Sequence, residues 1–308
     1  MILQKLQLFD DNVHNKELQN LYYRSGTGST DNSNSRIAFD KNGELIFNTY
    51  YNSFSFNKWS KYTKINDLHI ALKLKGIFEI AVIKLSLFDG GAVEERSTVS
   101  IVKSHNSIIP RRVKIDIPFE KDFNGSYGFI IRSLEHGGEL YGGYYGSDIR
   151  ETELNEINFA LGICHYKREE FVVNNLCRLI ENVYNDENSF LRDHLHIFVA
   201  DNSRSLKKTI IDLKGTEGYK YYSQIIGNEN ITILENKNIG GAGGFSRAMF
   251  EAQTRGRFTH MILMDDDVVF THYALERLYS FLRVFKSELL AHSIIGGAML
   301  RSDQTYIQ

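Results

Sequence analysis

Residues 157–164, INFALGIC, form a nearly uninterrupted apolar run that leads into the polar cluster CHYKRE at 164–169. Such a run is typical of a strand that is buried on both faces, as in a parallel sheet. Apolar residues then recur at helical spacing between Val172 and Val183. A buried strand followed at once by a helix indicates the start of a βαβ unit.

Three more segments repeat this pattern further along the chain. They are HLHIFVAD (194–201), NITILEN (230–236) and HMILMDDD (260–267). Helices are predicted between them near 205–213 and 245–255, and a last helix at 273–286 leads to a predicted strand in SIIGGAML (293–300). Alternating strands and helices predict a parallel α/β sheet. Ligands bind such sheets outside the carboxyl ends of the strands, so the polar residues after each strand are the candidates for function.

The first half of the chain has a different pattern of apolar and polar residues. Residues 1–150 contain short runs that alternate apolar and polar residues, for example Leu68, Ile70, Leu72 and Leu74 on one strand face. This series predicts an all-β sandwich or jelly-roll domain, with a boundary at about 148–155. The segment GGELYGGYYGSD (137–148) is interpreted as a mobile connection rich in edge tyrosines, with a sugar-stacking loop as the alternative.

Chain length, net charge and cysteine content narrow the class of protein. A chain of 308 residues with a net charge of −2 fits two domains and gives no global basic field for nucleic acid. The N-terminus has no signal-peptide pattern, and no stretch reaches the roughly 20 apolar residues that span a bilayer. Two cysteines, Cys164 and Cys177, make no disulfide framework. A cytoplasmic, reduced protein is therefore expected.

Three consecutive acids follow the fourth strand. In an extended segment Asp265 and Asp267 point to the same side, where two carboxylates repel unless a cation lies between them. Hard oxygen ligands suit Mg²⁺ or Mn²⁺, which diphosphate oxygens would complete. The alternative is an acidic turn in which Asp267 caps the next helix. The position at the sheet edge favours the metal.

A glycine cluster, GGAGG at 240–244, follows the third strand and precedes the helix predicted from Phe245. It matches neither the P-loop nor the GxGxxG pattern. Two interpretations stay open: a phosphate cradle, or backbone that passes so close to a nucleotide or sugar ring that side chains would clash. After the first two strands, Tyr166 could stack on a base, Arg168 could pair with a diphosphate, and Asp201 and Asn202 could read a base edge or ribose.

The segments NIGGAGGFSRAMFEA, ILMDDDV and IIGGAML resemble the family-2, GT-A type glycosyltransferases, and among these the bacterial UDP-galactofuranose galactofuranosyltransferases. TYYNSFSFNKW (49–59) is similar to the N-terminal β domain of that family. The resemblance implies a GT-A-like, Rossmann-like domain over 151–308, preceded by a β-sandwich or jelly-roll domain over 1–150 that can bind glycan. It also implies inverting transfer from a UDP-sugar to a glycan or lipid-linked glycan acceptor.

The resemblance further implies a role for each matched residue. The UDP-binding set is Tyr166, Arg168, Asp201, Asn202, Asn238, Gly240, Gly241, Gly243, Gly244, Arg247, Asp265 and Asp266. Asp265 and Asp267 would hold Mn²⁺ or Mg²⁺. The acceptor half of the family's domain, with its catalytic base, is expected after this point of the chain and is not assigned here. Asp303 is interpreted as a surface-loop residue, and His260 and His272 as structural or solvated residues.

Three functions are compared. The first is a galactofuranosyltransferase that builds a cell-surface or capsular glycan, with peripheral association at the inner face of the plasma membrane and homo-oligomerisation left open. The second is a truncated, inactive relative that holds UDP or glycan. The third, a nucleotidyltransferase, ranks last because such an enzyme usually has a basic, glycine-rich loop at its first strand, and ALGICHYKRE offers none.

Overall fold

The computed structural model describes residues 1–8, 18–26, 30–33, 36–88, 91–104, 107–213 and 222–298. The chain divides into two compact units. Met1–Asn155 with Ser280–Gln308 forms the first, here named the β unit, and Glu156–Tyr279 forms the second, the α/β unit. The segment from Ser280 is thus grouped with the first unit, whereas the sequence-based domains assign it to the second.

The β unit is built from two antiparallel sheets. Its strands are β1 (Ile2–Lys5), β2 (Arg24–Ser25), β3 (Thr30–Ser33), β4 (Arg36–Phe39), β5 (Glu44–Phe47), β6 (Leu68–Lys75), β7 (Phe78–Phe88), β8 (Gly91–Lys103), β9 (Arg111–Ile117), β10 (Gly125–Ser133) and β11 (Gly138–Gly146). Its helices are α1 (Gln19–Tyr22) and α2 (Phe56–Tyr62). One sheet has the order β3-β4-β11-β6-β9, with β1 also paired to β11, and the other has the order β2-β5-β10-β7-β8.

The alternating pattern of the sequence is what forms the core of this unit. In β6 the alternate residues Leu68, Ile70, Leu72 and Leu74 are buried, as the pattern predicts. Gly76, at φ +96°, turns the chain from β6 into β7, which belongs to the other sheet. One apolar cluster draws on both sheets, so each sheet buries one face against a shared core.

Residues 138–146 correct one prediction from the sequence. They form β11, a strand inside the six-stranded sheet, and not a mobile connection. A Cβ added at Gly143 would lie 2.4 Å from the carbonyl oxygen of Ala71 on β6, and one at Gly146 would lie 2.6 Å from Nε2 of His69. Gly143 and Gly146 are therefore places where neighbouring groups approach the strand too closely for a side chain.

The α/β unit has one parallel sheet. Its strands are β12 (Phe159–His165), β13 (Leu195–Asp201), β14 (Ile231–Glu235) and β15 (His260–Asp265), and its helices are α3 (Glu169–Leu179, continued by a π-helical turn at Ile180–Tyr184), α4 (Leu206–Asp212), α5 (Tyr222–Gly227) and α6 (Gly240–Arg255). Helix α7 (His272–Arg283) runs on into residues of the β unit, where α8 (Ser287–Leu290) follows. All three strand pairings are parallel, in the order β14-β13-β12-β15. All four segments predicted as strands are strands. β12 and β13 are buried on both faces, as predicted, whereas β14 and β15 are only partly buried.

Helix α6 begins at Gly240, five residues before the start predicted from the sequence, so the glycines belong to its first turns. A Cβ at Gly244 would lie 2.1 Å from Sγ of Cys164 on β12, and one at Gly162 on β12 would lie 3.2 Å from the Cβ of Ala248. Small residues on both elements let α6 pack close against β12. By contrast, a Cβ at Gly241 meets nothing within 4 Å.

This difference predicts opposite effects of two glycine-to-alanine substitutions in one helix. We expect Gly244→Ala to lower the free energy of unfolding by about 1–3 kcal/mol, because the added methyl overpacks the contact with Cys164. Gly241→Ala should raise it by about 0.5 kcal/mol, because alanine is the better helix former and the position is open. Urea denaturation measures both. Adding Cys164→Ala to Gly244→Ala should recover part of the loss, and an equal loss in both single variants would contradict this packing.

The end of the described chain differs from the sequence prediction. Residues 293–298, the described part of SIIGGAML, form no strand and are exposed. Apolar composition alone does not make a strand where no neighbouring strand pairs with it. Asp303 lies outside the described residues. In the part of the chain that the structure describes, no helix combines the length and the apolar character needed to cross a membrane.

Candidate active site at the carboxyl edge of the parallel sheet

The strand order fixes where a ligand crevice can form. From β12 the chain adds β13 and then β14 on one side, and β15 returns to pair with the other side of β12. The order therefore reverses between β12 and β15, and the carboxyl ends of strands at such a reversal form the usual binding crevice of open α/β sheets. The residues at the carboxyl ends of these two strands are Tyr166–Arg168 and Asp265–Asp267.

Arg168 bridges this reversal point. Its Nη1 lies 3.3 Å from Oδ1 of Asp266 and also donates a short hydrogen bond to Oδ2 of Asp267. Asp266 is buried, while Asp267 and Arg168 are half exposed. The hydrogen bond to Asp267, with the charges of both acids, raises the pKa of Arg168. The guanidinium thus neutralises two carboxylates where the sequence predicts a cation.

The acidic triplet is not one extended segment. Strand β15 ends at Asp265, and Asp266 and Asp267 lie in a turn. The argument from period-two spacing, which puts Asp265 and Asp267 on one side, therefore does not apply to the chain as folded. Asp265 is exposed at the strand end. The chemistry of the donor set still fits a hard divalent cation, because all three side chains offer carboxylate oxygens.

A residue that sequence reasoning missed holds this turn in place. Asn175 on α3 is buried, and its Nδ2 donates to the carbonyl oxygens of Asp266, at 3.1 Å, and Val268, at 3.0 Å. The signal was available in the sequence. Asn175 lies at helical spacing with Val172, Leu176 and Leu179, so one polar residue interrupts an apolar helix face. A polar residue at such a position requires a partner, and here the partner is the acidic turn.

Asp201 is fully buried at the end of β13. Its Oδ1 accepts from the backbone amides of Ser203 and Arg204 and lies 3.1 Å from Nε2 of His165, which is also fully buried. Its Oδ2 accepts from the amide of Leu206 at 2.8 Å. Burial by itself would raise the pKa of Asp201, but the close approach of the His165 ring and the hydrogen bonds from Leu206 and Ser203 hold that pKa well below its usual range. We therefore expect Asp201 to shape the loop after β13 rather than to contact a uridine.

Asn202 connects three strand ends through hydrogen bonds. Its Nδ2 lies 3.4 Å from Sγ of Cys164, at the end of β12, and 3.4 Å from the carbonyl oxygen of Gly240. Its Oδ1 accepts from Nδ2 of Asn236, which follows β14, at 2.9 Å. The side chain is almost completely buried. The start of α6 is thereby tied to the carboxyl ends of β12, β13 and β14.

The UDP-binding residues predicted around the start of α6 are Asn238 and the glycines that follow it. Oδ1 of Asn238 accepts from the amide of Gly240 at 3.2 Å and so shapes the entry to α6. Cβ atoms at Gly240 and Gly241 would meet nothing within 4 Å, whereas one at Gly243 would meet the side chain of Ile239. The first backbone amides of a helix have no partner within the helix and favour anions.

Two further predicted side chains are exposed as well. Tyr166 has the Lys167 ammonium 5.2 Å from its ring centroid, and Arg247 lies 4.0 Å from Glu251 on the same helix. Each of them is half exposed. Their contacts are local and weak, so both side chains can turn toward a ligand.

Two residues at the carboxyl edge of the parallel sheet have strained backbone conformations. Lys167, after β12, has φ +55°, and Arg204, after β13, has φ +58°. A residue other than glycine in the left-handed region costs roughly 1–2 kcal/mol. Such strain persists where the surrounding contacts impose it, and it clusters at functional sites. In both loops it bends the chain just where the strand ends.

Possible metal ligands form a separate group in the β unit. Among the described residues, Asp67, His69 and Asp148 place three ligand atoms within 4.8 Å of one another. The two histidines near the acidic triplet have other neighbours. His260 pairs its Nδ1 with Oγ1 of Thr259 at 2.9 Å, and the ring of His272 lies 4.1 Å from that of Tyr273.

Comparison with curated proteins gives two relatives of one kind. The chain is 25% identical over 261 residues to galactofuranosyltransferase GlfT2 of Mycolicibacterium smegmatis, covering 83% of this chain and 36% of that protein. It is 22% identical over 258 residues to galactofuranosyltransferase GlfT2 of Mycobacterium tuberculosis, covering 83% of this chain and 37% of that protein. The chain therefore spans little more than a third of the length of these relatives. No family model matches it.

Comparison with solved structures gives only distant likenesses. A family 29 carbohydrate binding module, CBM29-2, is 12% identical, covers 47% of this chain and 88% of that module, and has a TM-score of 0.27. A family GH115 4-O-methyl-alpha-glucuronidase is 13% identical, covers 41% of this chain and 17% of that enzyme, and has a TM-score of 0.24. TM-scores this low carry no argument about fold or ligand.

Proposed function

We propose that this chain contains the donor-binding site of a glycosyltransferase, which transfers galactofuranose from UDP-galactofuranose to a growing cell-surface glycan. The observation that carries the proposal is the contact of Arg168 with Asp266 and Asp267 across the strand reversal. A cation and carboxylates that converge there are the groups that a sugar diphosphate and its metal require. The similarity to two galactofuranosyltransferases supports the choice of reaction.

The proposed donor pose uses residues from all four strand ends. The diphosphate lies over the first turn of α6, where the open positions at Gly240 and Gly241 leave room for it and the helix N-terminus favours an anion. Asp265 and Asp267 would hold Mn²⁺ or Mg²⁺, which would neutralise charge on the diphosphate, and Arg168 turns from the acids to a phosphate oxygen. Tyr166 stacks on the uracil. Asp201 and Asn202 keep the edge rigid from beneath, as their buried hydrogen bonds suggest.

The proposed chemistry is inverting transfer in a GT-A-like unit. When bound, a divalent cation stabilises the charge that develops on the leaving UDP. The residues of this chain bind the donor and orient its anomeric carbon toward the acceptor hydroxyl. A carboxylate must remove the acceptor proton, and none of the described residues is assigned to that step. The acceptor is a glycan or lipid-linked glycan, which the enzyme would meet on the cytoplasmic side of the membrane.

Metal-dependent UDP binding tests the donor site directly. At a UDP concentration 100 times its Kd, ligand binding should stabilise the folded chain by about 2.7 kcal/mol. We expect a rise in melting temperature with UDP and Mn²⁺ together that is lost in Asp265→Asn/Asp267→Asn. Asp193→Asn is the matched control, since Asp193 is exposed and precedes β13 at the opposite edge of the sheet. Its shift should equal that of the wild type.

Two outcomes of this melting experiment would contradict the proposal. The donor site would be ruled out if the wild type showed no shift, or if the double variant kept the full shift. Binding without turnover would favour the second candidate, an inactive relative that holds UDP or glycan. Transfer from UDP-galactofuranose separates these two, because only the enzyme consumes the donor.

A further inference from the structure

We propose a second metal site, independent of the donor site, in which Asp67, His69 and Asp148 of the β unit bind one zinc-like divalent cation. The three ligand atoms lie within 4.8 Å of one another. Nδ1 of His69 is 3.7 Å from Oδ1 of Asp148. In a tetrahedral zinc site, ligand bonds near 2.1 Å put neighbouring ligand atoms about 3.4 Å apart. The His69–Asp148 pair needs only a small adjustment to reach that geometry, and Asp67 lies within 4.8 Å of both.

The buried histidine is the observation that points to a ligand. His69 is 5% exposed, and its Nδ1 is completely buried with no hydrogen-bond partner. A buried ring nitrogen without a partner is costly, and native structures rarely leave one unsatisfied. The nitrogen faces the carboxylate of Asp148, an exposed side chain at the surface end of the cluster. A cation between the two would satisfy both groups.

The surrounding backbone keeps the ring in this position. His69 lies on β6 opposite Gly146 of β11, and a Cβ at Gly146 would lie 2.6 Å from Nε2 of the ring. The carboxylate of Asp67 accepts from Oγ of Ser147 at 2.6 Å and from the amide of Asp148 at 2.8 Å. These contacts fix the turn that follows β11, so all three ligands are held on a rigid sheet and turn. Such fixed supports favour a preformed site.

The ligand types indicate the class of metal. One imidazole nitrogen and two carboxylates suit borderline transition metals such as Zn²⁺ or Co²⁺, whereas Mg²⁺ and Ca²⁺ prefer oxygen alone.

Lys114 is the competitor for this site. Its Nζ donates to Oδ2 of Asp148 at 2.7 Å and lies 3.9 Å from Oδ1 of Asp116. Oδ1 of Asp148 faces His69, so the ammonium and a metal ion would use different oxygens of the same carboxylate. The ammonium repels the metal, and its removal should therefore tighten binding.

Zinc titration in a background that lacks the donor-site acids tests the proposal. In the full chain carrying Asp265→Asn/Asp267→Asn, we expect one equivalent of Zn²⁺ to bind by isothermal titration calorimetry. Co²⁺ should give the visible absorption of a tetrahedral site. Adding Asp148→Asn should weaken Zn²⁺ binding about 100-fold, as expected for the loss of a ligand. Asp148 is exposed, so this variant should fold.

Two further variants make the test specific. Asp116→Asn removes the same charge near Lys114 from a side chain outside the ligand group and should weaken Zn²⁺ binding far less than Asp148→Asn does. Lys114→Gln should tighten Zn²⁺ binding several-fold. No Zn²⁺ binding in the background variant would overturn the proposal, and so would equal weakening by Asp148→Asn and Asp116→Asn. Failure of UDP binding elsewhere would not affect this result, because the donor acids are already removed.

Discussion

Asp201→Ala should be among the most destabilising single substitutions in the α/β unit. Asp201 and His165 are both fully buried and lie 3.1 Å apart. Removing the carboxylate leaves the amides of Ser203, Arg204 and Leu206 without their acceptor, and it takes the neighbouring charge away from the buried ring of His165. Breaking a buried, hydrogen-bonded charged group from one side typically costs about 3–5 kcal/mol. Urea denaturation at pH 7 should show a loss in that range, with Asp265→Ala as an exposed control that stays within about 0.5 kcal/mol of the wild type.

The pH dependence identifies the carboxylate as the cause. The folded pKa of Asp201 lies well below its unfolded value, so its stabilising contribution is fully present above the unfolded pKa of about 3.9. It is lost as the pH falls from there toward the folded pKa. The difference in unfolding free energy between the wild type and Asp201→Asn should therefore be largest at pH 7 and shrink below about pH 4. A difference that did not change with pH would mean that packing, and not ionisation, explains the loss.

The sequence predicts the elements of the α/β unit better than it predicts the contacts between them. β12 and β13 follow from apolar runs because a strand buried on both faces has no polar positions. The sequence predicts a start of α6 that is five residues too late, because glycine has a low helix propensity. What compensates at Gly244 is close packing on Cys164, which is a contact across elements and leaves no local signal. Tertiary packing thus overrides propensity at this position.

The same limit applies to the candidate site. Composition and spacing bring out the acids at 265–267 and the residues after each strand. They do not show that Asp201 points inward, because burial depends on the path of the loop after β13. Nor do they show that Arg168 reaches the acids, 98 and 99 residues further along the chain. Likewise, Asp67, His69 and Asp148 come together only when β6 and the end of β11 pair.

Arg168→Met should separate two kinds of binding at the donor site. In the wild type the guanidinium pairs with Asp266 and Asp267. The variant removes that competing cation, so Mn²⁺ alone should bind several-fold more tightly. It also removes the group proposed to contact a phosphate, so UDP should bind about tenfold more weakly in saturating Mn²⁺, as expected for a charged hydrogen bond. Calorimetric titration of Mn²⁺ and of UDP measures the two affinities, and uridine, which has no phosphate, should bind equally to both proteins.

This prediction requires two opposite changes in affinity from one substitution, tighter binding of Mn²⁺ and weaker binding of UDP. Arg192→Met is the matched control, since Arg192 is an exposed arginine that precedes β13 at the far edge of the sheet and should change neither affinity. If Arg168→Met weakened Mn²⁺ and UDP alike, the arginine would act by holding the acidic turn in shape, as Asn175 does from α3. If it weakened uridine as much as UDP, its partner would not be a phosphate. Only tighter metal binding together with weaker diphosphate binding fits an arginine that leaves the acids when the donor arrives.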